Sequence, residues 1–178
     1  MNDARILLMD ACVVLDYLKA DRELFKLISE NIGELYVPEE VVSEIKDVGG
    51  SEELKALGLK IIETNADDYC EAALRSQSGP LSPVEHICFL TAQRNGFVCV
   101  TNDTRLRKKC ERERVETMRG LQLILLLFER GGIDKQRALQ IGARARQNPW
   151  LAESAYKNFA ERVEKIAVES ERRQTPRD

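Results

Sequence analysis

Residues 97–103 read FVCVTND: four apolar positions, then Thr101, Asn102 and Asp103. An apolar run without alternation is the pattern of a strand buried on both faces, which is typical of a parallel sheet. The same pattern opens the chain, where ILLM (residues 6–9) is followed at once by Asp10. In open α/β sheets, ligands bind just outside the carboxyl ends of the strands, where the strand order switches. An acid directly after each of two buried strands therefore places Asp10 and Asp103 on that edge.

Working outward, strands and helices alternate. The expected strands are 5–9, 35–37, 59–63, 97–101 and a short 115–118. The expected helices are 12–19, 22–30, 39–46, 52–57 with Ser51 as N-cap, 67–75, 82–95 closed by Gly96, and 103–110. Such alternation argues an α/β fold, a three-layer α/β/α sandwich with a central parallel sheet of four to five strands. LQLILLLF (121–128) is too short to cross a bilayer and reads as a buried helix stopped by Gly131 and Gly132. After Ile133 the pattern is helical only: 134–147, a break at Asn148-Pro149, then 153–171. The expected organisation is a catalytic domain over 1–132, a helical extension over 133–172 packed on it, and a disordered tail over 173–178.

The 178 residues suffice for one domain with a sizeable core. The N-terminus lacks a signal-peptide pattern. The five cysteines (Cys12, Cys70, Cys88, Cys99, Cys110) are odd in number and have no CxxC spacing. They read as reduced structural thiols of a cytoplasmic protein, and with one histidine a zinc site is disfavoured. Net charge is −3, so the chain lacks the overall basic balance common among nucleic-acid binders. Cations nevertheless crowd residues 105–119. They read either as a solvated helix face with Arg107–Glu111 and Lys109–Glu113 pairs, or as a phosphate-facing patch carried by Arg105, Arg107 and Lys108.

Two further acids complete the candidate site. Glu44 lies near the apolar stripe formed by Val41, Ile45 and Val48, closer than Glu39 or Glu40, so it is the glutamate of its helix most able to reach inward. Glu85 opens the helix that leads into FVCV. Capping explains Asp10, Asp103 and Glu85 taken singly, and Ser82-Pro83-Val84-Glu85 is a capping box in its own right. Taken together, Asp10, Glu44, Glu85 and Asp103 form an all-oxygen donor set. Such a set suits Mg²⁺ or Mn²⁺, which would orient a water for attack on a phosphodiester. His86 falls on the polar side of its helix, reads as solvated, and is assigned no role.

ILLMDACVVLDYL (6–18), VPEEVVSEI (37–45) and LSPVEHICFLTAQRNGFVCVTNDTRLR (81–107) stand in an order and spacing that resemble the PIN-domain nucleases, including the VapC-type toxins and their stand-alone relatives. GLQLILLLFERGGID (120–134) resembles a helical ending of some members. The resemblance implies Mg²⁺- or Mn²⁺-dependent endonucleolytic cleavage of RNA, with Asp10, Glu44, Glu85 and Asp103 in the acidic roles. It implies supporting roles for Thr101 and Asn102 at the metal site or a water. As partners it implies an RNA substrate, a second copy in a homodimer, and a small antitoxin if the chain is the toxin of a toxin–antitoxin pair. Two positions depart from the pattern. The third acid is usually aspartate and is Glu85 here. Cys12 replaces a small hydroxyl or amide residue, which is expected to remove a hydrogen bond near Asp10. The departures keep a second reading open: a catalytically degenerate domain that binds RNA or a protein without cleavage. A dehalogenase-type phosphotransferase needs an acid at position 12, and a dinucleotide site needs a glycine fingerprint; the chain has neither.

Overall fold

The structure is a computed structural model that describes residues 5–45, 50–147 and 151–174. Val48, Gly49, Asn148-Pro149 and the tail beyond residue 174 lie outside the described residues. Five parallel strands form one sheet: β1 (Arg5–Met9), β2 (Gly33–Pro38), β3 (Leu59–Ile62), β4 (Val98–Val100) and β5 (Thr117–Met118). Their spatial order is β3-β2-β1-β4-β5. The order reverses direction between β1 and β4, so the switch point falls where the sequence puts its two strand-end acids. Register makes this exact at the residue level: Met9 pairs with Val100, so Asp10 and Thr101 leave the sheet side by side.

Leu7, Leu8 and Met9 of β1, and Cys99 and Val100 of β4, are fully buried, with Val98 nearly so. Successive residues of one strand point to opposite faces, so both faces of the sheet are covered. Each such side chain contributes about 1.5–3 kcal/mol of burial. The covering helices of this unit are α1 (Ala11–Ala20), α2 (Leu24–Asn31), α3 (Glu39–Glu44), α4 (Ser51–Ala56), α5 (Ala66–Ser76), α6 (Pro83–Asn95) and α7 (Thr104–Arg112). The architecture is the α/β sandwich read from the sequence. Helix α4 differs in one detail. Gly50 is its N-cap and Ser51 is already helical, with no side-chain cap bond.

Helix α6 overturns one expectation. His86 is buried, as are all residues from Ile87 to Ala92. The helix packs against α5, α3, α7 and three strands. Its middle, from His86 to Ala92, is enclosed on every side, so a polar residue there is no guide to exposure, while Gln93, Arg94 and Asn95 at its end are exposed.

One compact unit ends at Gly120 and a second begins at Leu121. In the second, α8 (Gly120–Glu129) buries Leu123, Ile124, Leu125 and Leu127. Helices α9 (Lys135–Ala145) and α10 (Glu153–Gln174) pack together. Lys135 pairs with Glu164 at 2.6 Å, and Arg146 with Glu153 at 2.9 Å. Helix α10 continues past Glu171 to Gln174. Among the described residues no helix is long and apolar enough to cross a membrane.

Gly33 marks the tightest approach in the sheet. A Cβ there would collide with the backbone carbonyl oxygen of its strand partner Arg5. Gly33→Ala is therefore expected to destabilise the protein by about 1–3 kcal/mol, the usual cost of overpacking, as read by urea unfolding. Unchanged stability would show that the β1–β2 pairing is looser than described.

Candidate active site at the strand-order switch

Asp10 is the buried centre of the site, 5% exposed. It caps α1, accepting at Oδ1 from the Ala11 N–H at 2.8 Å. Its other oxygen, Oδ2, accepts from the Thr101 hydroxyl at 2.8 Å and from the Cys12 thiol at 3.0 Å. Hydrogen bonds to a charged group are worth about 1.5–3 kcal/mol each, so the carboxylate is held in one orientation. Cys12 thus supplies the hydrogen bond that its identity was expected to remove. Burial, and then the Asp10 charge, push its pKa far up, so the group stays a thiol and a donor. The Cys12 sulfur also accepts from the Asn102 N–H at 3.4 Å.

Thr101 is fully buried. While its hydroxyl donates to Asp10, the same oxygen accepts from the Asp103 N–H at 3.0 Å. One side chain therefore fixes both strand-end acids. Asp103 caps α7: its Oδ1 accepts from the N–H groups of Arg105 and Leu106 at 2.7 and 2.8 Å. Its Oδ2 lies 3.8 Å from the Arg105 guanidinium. Capping and ligation are compatible, because the cap uses one oxygen.

Asn102 bridges outward. Its Nδ2 donates to Asp16 Oδ2 at 3.0 Å, and its Oδ1 accepts from the Gly120 N–H at 3.0 Å. The Gly120 carbonyl in turn accepts from the Tyr17 hydroxyl at 2.8 Å. Asp16 is an acid that the sequence reading passed over. It lies six residues beyond Asp10, on α1.

Glu44 ends α3, which packs against both α1 and α6. This sets Glu44 between the helices opened by Asp10 and Glu85. Glu44 is exposed as a residue. Partial desolvation of its carboxyl, and then the charges of Asp10 and Glu85, raise its pKa above the ordinary carboxylate range. Three acids thus feel one another. Glu40 does not compete for this place, since its Oε2 accepts from the Thr64 hydroxyl at 2.6 Å. Glu85 completes the capping box, Oε2 accepting from the Ser82 N–H at 2.6 Å and its own N–H donating to the Ser82 hydroxyl at 3.2 Å.

Of the basic residues, Arg107 is tied to Glu111 at 3.4 Å and Lys109 to Glu113 at 2.8 Å, as the helical spacing indicates. Arg105, Lys108, Lys109 and Arg112 line a cavity together with Arg75 and His86.

As the side chains stand, no group of three or more His, Cys, Asp or Glu among the described residues is arranged to hold a metal ion. Asp10, Asp103 and Glu85 each spend carboxylate oxygens on donors of the protein. A Mg²⁺-type ion does not need a closed protein cage: it uses one or two carboxylates and fills its shell with water and substrate phosphate. The crowded carboxylates at this edge fit that chemistry.

The raised pKa of Glu44 has a definite sign. The contribution to stability is full below the ordinary carboxylate range and is lost as pH rises through the elevated value. In metal-free protein, Glu44→Gln is therefore expected to raise the melting temperature at neutral pH, with the gain vanishing in acid. Mn²⁺ is expected to stabilise the parent chain more than the variant. Equal melting curves at every pH would separate Glu44 from Asp10 and Glu85.

Comparison with known proteins agrees with this geometry. None of the curated proteins compared with the chain matches it. A family model described as a PIN domain matches residues 6–165, which takes in the whole sheet, all four acids and the helices through most of α10. With strand-end acids at the β1/β4 switch and a match over most of its length, the chain belongs to the PIN-domain family.

Proposed function

We propose that this protein is a divalent-metal-dependent endoribonuclease whose site is formed by Asp10, Glu44, Glu85 and Asp103. Membership of the PIN-domain family supports a nuclease-type fold. The finer reading rests on one observation above the others. Asp10 and Asp103 are locked to a single hydroxyl, Thr101, at the strand-order switch, while Glu44 is crowded by Asp10 and Glu85.

A bound Mg²⁺ or Mn²⁺ would supply Lewis acidity toward a phosphate oxygen and an attacking water. The chain's own groups divide the remaining work. Asp10 is the fixed anchor, since the Ala11 N–H, the Cys12 thiol and the Thr101 hydroxyl all hold it. Asp103 offers Oδ2 while Oδ1 stays on the helix cap. Glu44 has the raised proton affinity of a general base and would take the proton from the attacking water. Glu85 keeps Oε1 for the ion or its water. Its extra methylene relative to aspartate supplies reach from the first turn of α6.

Cys12 no longer favours the degenerate reading, because it donates to Asp10 as a hydroxyl would. Cleavage of single-stranded RNA by the purified protein with Mn²⁺ or Mg²⁺ is the expected activity. Asp10→Asn keeps the shape of the anchor and removes its charge, so it is expected to slow cleavage roughly 10²–10³-fold. Undiminished cleavage by that variant would remove the proposed site. Metal binding without cleavage of any RNA would select the degenerate alternative.

A further inference from the structure

A second feature lies among α5, α6 and α7. A cavity of about 510 Å³ is lined by Arg75, His86, Arg105, Lys108, Lys109 and Arg112. Its volume falls within the roughly 300–1,000 Å³ of small-ligand sites. Arg105, Lys108, Lys109 and Arg112 follow i, i+3, i+4, i+7 spacing, so they form one face of α7. Arg75 reaches the cavity from α5 and His86 from α6.

Like charges at this spacing repel, and the carboxylates nearby are too few to balance them. Glu113 serves Lys109 at 2.8 Å and Arg112 at 3.9 Å. Glu71 serves Arg75 at 2.5 Å. Asp103 reaches Arg105 only at 3.8 Å, while its other oxygen caps the helix. Among the described residues Lys108 has no ion-pair partner. Five cations thus share three carboxylates.

His86 adds an independent observation. It is 6% exposed, yet neither ring nitrogen has a hydrogen-bond partner. An unpaired buried polar group costs about 1–3 kcal/mol, so a wholly structural position favours an apolar ring. Its Nε2 lies beneath Gly79, where an added Cβ would stand 3.8 Å away.

We infer that this cavity is a phosphate-binding subsite that seats a nucleotide of a single RNA strand while a neighbouring phosphodiester lies at the carboxylates. Its placement follows from the chain. Arg105 is two residues from Asp103, and His86 is next to Glu85, so the cavity and the acids share the first turns of α7 and α6. The assignment rests on the nuclease reading for the identity of the strand, but its binding step needs no divalent metal.

The test measures binding of a labelled, short single-stranded RNA to the full chain by fluorescence anisotropy in EDTA, where cleavage plays no part. Lys108→Glu combined with Arg112→Glu is expected to weaken binding about tenfold or more. It is also expected to reduce the slope of log affinity against log salt by about 1.4, the value for two lost contacts to single-strand phosphates. The same charge change at Lys26 and Lys55, both exposed and neither lining the cavity, is expected to leave the slope unchanged. His86→Phe keeps the ring, removes the unpaired nitrogens and is expected to fold with undiminished melting temperature while weakening binding. Wild-type affinity in either the charge-reversed or the His86→Phe protein overturns the assignment. If inorganic phosphate binds and RNA does not, the cavity serves free phosphate and the RNA assignment falls. Loss of cleavage with RNA binding and its salt slope intact would refute the nuclease reading and leave the subsite standing.

Discussion

The hydroxyl of Thr101 holds the site together. It donates to Asp10 at the end of β1 and accepts from the backbone of Asp103 beyond β4. Because both strands are buried and paired in register, their ends can diverge only by breaking this bond or the sheet. Asp10, Cys12, Asn102 and Asp103 are connected through it. Cys12 adds a second donor to the same Asp10 oxygen, and Asn102 carries the connection on to Asp16 and Gly120. A buried carboxylate is tolerable only when its oxygens are satisfied, and here each is.

What the sequence disclosed, and what it withheld, follows from the same physics. FVCVTND and ILLMD were readable because strands covered on both faces leave an uninterrupted apolar record, and the acid after each is placed by the strand itself. Helical phase singled out Glu44, which is exposed as a residue but feels Asp10 and Glu85, while Glu40 is engaged by Thr64. Phase failed for His86, because the stretch of α6 from His86 to Ala92 is buried all round, and only its end at Gln93–Asn95 is exposed. Cys12 misled because residue type suggested a lost hydrogen bond, whereas a desolvated thiol beside a carboxylate is a donor. Asp16 was passed over because its partner, Asn102, is distant in sequence and close only once β4 pairs with β1. The basic run divided along its helix: Arg107 is paired with Glu111 and largely covered, while Arg105 and Lys108 line a cavity.

Capping and ligation of an ion need not be rival explanations of an acid at a helix start, because a cap can use one carboxylate oxygen and leave the other. Asp103 and Glu85 each commit one oxygen to backbone N–H groups. That commitment fixes the side chain and leaves the other oxygen for a ligand. Glu44 makes no such bond and bears the electrostatic cost of the cluster, which a cation would relieve. The central claim is that these carboxylates share a hard divalent ion at the β1/β4 switch. Anomalous diffraction from a crystal grown with Mn²⁺ tests it most directly. The expected result is a peak about 2.1 Å from an Asp10 oxygen and within one water of Glu44. Manganese bound elsewhere with this crevice empty, under conditions where RNA is cleaved, would contradict it.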